Sequence, residues 1–161
     1  MKQKNKKRKR TISLAVAAIC ALSSVSAISV SANNCSDTEG TYRVGGYAYR
    51  FTDAARRKYD YSSSYQKCIS STVTYDSWVF ASKTAYPGDY AKDHVRLEYK
   101  GKLTPSYYFN TGTTRYMVNY INEYNDLQKN GEDKYLYAGM TFWTASPQTG
   151  STHVKWSPDS V

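Results

Sequence analysis

The sequence predicts a mainly β chain, a small antiparallel β-sandwich or open barrel of about six strands with room for one short helix. Three observations carry this. Seventeen tyrosines, all beyond residue 40, supply side chains that fill a half-buried pleated surface while keeping a wet hydroxyl. Apolar and polar residues alternate over several short stretches, and turn chemistry separates those stretches.

The first predicted strand is Thr41 to Phe51 (TYRVGGYAYRF), in which Gly45-Gly46 shifts the alternation and implies a bulge or tight turn. Ser71 to Ala81 (STVTYDSWVFA) follows. His94 to Lys100 is the cleanest case, with Val95, Leu97 and Tyr99 facing a core and His94, Arg96, Glu98 and Lys100 facing water. Ser106 to Asn110, Lys134 to Thr144 (KYLYAGMTFWT) and Ser151 to Trp156 complete the set. Pro87-Gly88-Asp89, Lys100-Gly101-Lys102 and Asn130-Gly131-Glu132 are the intervening turns. Thr113 to Lys129 departs from this pattern. Met117, Tyr120, Ile121, Tyr124 and Leu127 recur at helical spacing, with Thr113 to cap and Gly131 to end a helix. Tyr116, Val118 and Tyr120 also alternate, which leaves a strand followed by a polar loop as the other reading.

Residues 1–32 read as a secretory signal peptide. Seven of the first ten residues are Lys or Arg, an apolar run spans Ile12 to Leu22, and Val30-Ser31-Ala32 forms a small-x-small cleavage motif. Five serines between Ser23 and Ser31 dilute the second half, so the uninterrupted apolar part falls short of a bilayer core of roughly 30 Å. No stable membrane insertion is expected once the leader is gone. Residues 33–161 are expected to form a single secreted, β-rich, extracellular domain.

Removal of the leader also answers the charge question. The formal +9 of the whole chain includes seven leader cations; without them 15 basic residues face 13 acidic ones, a net +2. Binding to nucleic acid requires several phosphates to be neutralised together, and Arg56-Arg57-Lys58 is the only compact basic group. Nucleic acid is therefore not an expected partner.

Two cysteines, Cys35 and Cys68, remain beyond the leader, and an extracytoplasmic compartment permits a disulfide between them. In the chain-entropy model such a loop contributes about 3–4 kcal/mol. Residues for chemistry are scarce. His94 and His153 are the only histidines, without H-x-H, H-E-x-x-H or C-x-x-C spacing, so no metal site or cofactor is expected and each His reads as a surface strand residue. No G-x-S-x-G elbow occurs, Glu98 and Glu123 are glycosidase candidates by residue type alone, and no catalytic residue is assigned.

What the chain offers instead is aromatic surface. Trp78, Trp143 and Trp156, with outward-facing tyrosines, are the candidate ligand-binding residues, stacking on sugar rings or anchoring a protein partner. The runs Tyr61-Ser62-Ser63-Ser64-Tyr65-Gln66-Lys67, Gly112-Thr113-Thr114-Arg115-Tyr116-Met117 and Trp156-Ser157-Pro158-Asp159-Ser160 together resemble a family of small secreted Gram-positive bacterial proteins of unknown function. That resemblance implies secretion and a β-rich fold and assigns no activity; the polar stretch Glu123 to Lys134 departs from its pattern. The expected function is a non-enzymatic binding module for cell-wall carbohydrate or an envelope protein. A bacteriocin-like antimicrobial and a cell-wall polymer hydrolase are the rival classes.

Overall fold

The structure is a computed structural model that describes residues 36–88, 90–128 and 133–160. The predicted signal peptide, Cys35 and the Asn130-Gly131-Glu132 turn lie outside the described residues. Strand alternation sets the architecture. In β1 (Thr38–Gly45), Gly40, Tyr42 and Val44 turn inward while Glu39, Thr41 and Arg43 face water. In β11 (Thr149–Ser157), Thr152, Val154 and Trp156 do the same, and the two strands pair antiparallel from Thr38↔Trp156 to Gly45↔Thr149.

β11 also pairs with β4 (Ser64–Ser71), which pairs with β9 (Thr114–Met117), giving a first antiparallel sheet of order β1-β11-β4-β9. The second sheet has the order β2-β10-β5-β8, built from β2 (Arg50–Phe51), β5 (Tyr75–Ser82), β8 (Tyr107–Phe109) and β10 (Tyr137–Trp143), with β3 (Arg56–Arg57) beside β10. The chain changes sheet repeatedly, three of the crossings being the short corners Gly46–Tyr49, Thr72–Thr74 and Thr144–Gln148. Gly45 and Gly46 take φ of +117° and +67° at the first corner, so the predicted strand 41–51 divides there into β1 and β2. β6 (Glu98–Tyr99) and β7 (Lys102–Leu103) form a separate hairpin. Its Lys100-Gly101 turn takes positive φ at both positions, the backbone of the expected tight turn.

The core lies between the sheets. Tyr42 and Val44 from the first sheet meet Met140 and Phe142 from the second, with Tyr42 stacked on Phe142 at 4.7 Å and Tyr75 stacked on Phe109 at 5.4 Å. A polar row crosses this core: Gln66 donates to the Tyr75 hydroxyl at 3.1 Å and accepts from Ser77 Oγ at 2.8 Å. Because each buried amide group finds a partner, the row costs little.

Two expectations need correction. The stretch 94–100 makes only the two-residue β6, because it crosses over the second sheet; Val95 bridges Ala81 and Leu97 is buried beneath the hairpin. The ambiguous stretch 113–129 is a strand followed by a helix: β9, then α2 (Ile121–Leu127) with Ile121 and Asn125 buried. Thr113 caps neither; it closes a turn onto Asn110 through its backbone N–H, and Tyr120 occupies the helix N-cap position. A further short helix, α1 (Tyr90–Asp93), lies in the crossover.

Candidate functional site

The second sheet has two faces, and the outer one carries aromatic residues. On β5, Asp76, Trp78 and Phe80 point away from the core, and on β10, Gly139, Thr141 and Trp143 do. Register places them in rows: Trp143 lies opposite Asp76 and Asp76 opposite Tyr108, while Thr141 lies between Trp78 and Phe51. Directly paired residues share a face, so Trp143, Asp76 and Tyr108 form one row across three strands.

Residues from outside the sheet complete the surface. Tyr49, at the end of the Gly-rich corner, lies edge-on to Trp78 at 5.5 Å and stacks near Trp143 at 6.1 Å, which joins the two tryptophans into one platform. The Arg96 guanidinium sits 4.8 Å from the Trp78 ring and is fixed by Nε donating to Thr104 O at 2.7 Å. Phe51 packs edge-to-face on Phe80 at 5.6 Å, and His94 lies against both rings at 4.0 and 4.7 Å. His94 is thus half-buried in an aromatic sandwich, a correction to its reading as a surface strand residue. A cleft of about 410 Å³ opens beside the platform between Tyr49, Arg50, Phe51, Pro87 and His94.

Trp78 and Trp143 are both half-buried, Tyr49 is 43 % exposed and Tyr108 56 % exposed, so ring edges and faces remain open to solvent. Burial pushes the Asp76 carboxyl above its ordinary value, and among the described residues no group donates a hydrogen bond to it. Thr141 Oγ1, beneath the rings, is buried without a hydrogen-bond partner. The arrangement is an apolar floor edged by a partly buried carboxylate and a fixed guanidinium, a surface able to pack the C–H faces of a polyhydroxylated ring and to hydrogen-bond its hydroxyls through Asp76 and Arg96.

The three tryptophans therefore do not act together. Trp156 is 1 % exposed, on the inward face of β11 with the Arg56 guanidinium 5.9 Å from its ring, and cannot present a face to a ligand. Its place in the ligand-binding set is corrected to a core position. Cys68 is a buried free thiol whose Sγ lies 3.5 Å from Thr152 Oγ1, and its expected partner Cys35 lies outside the described residues. Tyr49, Asp76, Arg96 and Tyr108 escaped the sequence reading. One signal was present: Asp76 is the one charged residue in the run Ser71 to Ala81, and Asp is depleted in strands.

Among the described residues no group of three or more His, Cys, Asp and Glu side chains is placed to hold a metal ion, and no helix is long and apolar enough to cross a membrane. Residues 28–160 match a family described as protein of unknown function (DUF2712). No curated protein and no solved structure matches the chain.

Proposed function

We propose, for a chain that belongs to the DUF2712 family, the role of a secreted, non-catalytic binding module that engages carbohydrate of the Gram-positive cell wall on the outer face of its second sheet. One observation carries the reading: Trp78 and Trp143, joined by Tyr49, flank a half-buried carboxylate that no described residue satisfies. A partly buried carboxylate with no donor among the described residues, set beside two indole rings, supports a ligand that supplies the donors. The cationic and then apolar run of residues 1–32, read as a secretory signal, supports export.

Retention on isolated cell walls tests this. Wild-type protein should sediment with the wall, and Trp78→Ala or Trp143→Ala should each weaken retention by about tenfold or more, the scale of losing one buried aromatic anchor. Unchanged retention in both variants would remove the platform from the function.

A further inference from the structure

The end of the chain and the loop after β3 meet around a buried lysine. Lys58 Nζ contacts Asp159 Oδ1, and both side chains are 0 % exposed. The same Nζ reaches Asp60 Oδ1 at 3.0 Å and Ser62 Oγ at 3.4 Å. The Tyr59 N–H donates to the other Asp159 oxygen, Oδ2, at 3.3 Å. The backbone around the pair is pinned on both sides: Ser64 Oγ donates to Pro158 O at 2.8 Å and the Ser160 N–H donates to Ser62 Oγ at 3.0 Å. A lysine and an aspartate 101 residues apart are thus held in contact in a fully buried site, with a second carboxylate on the same nitrogen.

We propose that Lys58 and Asp159 condense into an intramolecular amide bond, with Asp60 as the proton relay. An ion pair in so dry a site is costly, and passage of one proton from nitrogen to oxygen leaves a neutral amine beside a neutral carboxylic acid. The Nζ lone pair then attacks Asp159 Cγ and forms the C–N bond. Negative charge developing on Oδ2 meets the Tyr59 N–H, while Asp60 takes the proton from nitrogen and hands it to the departing Oδ1. The C–O bond breaks and one water leaves. Ammonium plus carboxylate become amide plus water, so no oxidant, reductant or co-reactant is needed. Asp60 Oδ1 also accepts from the Ser62 N–H at 2.9 Å and the Ser62 hydroxyl at 2.5 Å, which fixes it beside Nζ, where it can carry the proton. Its side chain is 29 % exposed, which gives the released water a way out. Fixed contact replaces the chemical activation that amide formation needs in solution.

Tryptic digestion of the folded protein after denaturation tests this without reference to the N-terminus. The expected product is a branched peptide joining residues 58–67 to residues 156–161, lighter by one water than its two parts, with no cleavage after Lys58. Lys58→Arg should release residues 59–67 and 156–161 as separate peptides at their full masses. Asp60→Asn, checked for native circular dichroism, should do so as well, since the pair remains and the relay is gone. Cleavage after Lys58, with free 59–67 and 156–161 fragments, from wild-type protein with native circular dichroism would overturn the bond, and a branched peptide from Asp60→Asn would overturn the relay.

Discussion

Asp76 shows most clearly how a single residue trades stability for use. Burial raises its carboxyl pKa, so the folded domain holds that proton more readily than the unfolded chain does. Ionised Asp76 therefore penalises the fold at neutral pH, and the penalty disappears as pH falls through the raised pKa toward the ordinary value of 3.8. Asp76→Asn should raise the urea midpoint at neutral pH, and its advantage over wild type should vanish below pH 3.8. The same variant should lose carbohydrate affinity by about tenfold, the scale of one charge-assisted hydrogen bond. At this scale the sequence was partly legible. Residue type singled out Trp78 and Trp143, but type alone could not separate them from Trp156, because the side of the sheet a strand residue faces depends on register with partners far away in the chain. Asp76 and Arg96 join the platform only through pairing with β8 and β10 and through the crossover, so no local pattern names them together.

Among the elements, β10 has both faces covered, which its near-continuous burial from Ala138 to Phe142 records. Its Gly139 lies under Phe80: a Cβ there would stand 2.3 Å from Phe80 Cζ and 2.7 Å from Thr52 Oγ1. Phe80 cannot simply swing aside, since Phe51 and His94 hold its ring. Gly139→Ala should therefore destabilise the domain by about 1–3 kcal/mol, read as a lower denaturation midpoint, the cost of overpacking a closed contact. The strands read from alternation, β1, β5, β8, β10 and β11, occupy the places expected to within a few residues. β4 was missed although it lies inside the first sheet. Its inward residues are Ser64, Gln66 and Cys68, and a strand that buries a hydrogen-bonded polar row shows no hydrophobic period. The crossover 94–100 erred the other way: its alternation is real, but Arg96 faces Trp78 while backbone pairing reaches only one bridge and a two-residue strand.

For the molecule as a whole, the proposed binding role rests on the sandwich and the aromatic outer face of its second sheet. The chain passes repeatedly between its sheets, so β1 and β11, distant in sequence, pair along one edge while the second sheet turns its outer face away from the core. That face gathers Tyr49, Asp76, Trp78, Tyr108 and Trp143, whereas the outer face of the first sheet carries ion pairs such as Lys155 with Asp37 at 3.0 Å and His153 with Glu39 at 2.9 Å. One outer face is thus aromatic and the other carries charged pairs. The most direct measurement is titration of the isotope-labelled domain with solubilised wall glycan, following the three indole N–H resonances. The account predicts that the Trp78 and Trp143 signals move with ligand while the Trp156 signal stays in place. Glycan that leaves the Trp78 and Trp143 signals unmoved, or shifts only residues on the outer face of the first sheet, would contradict it.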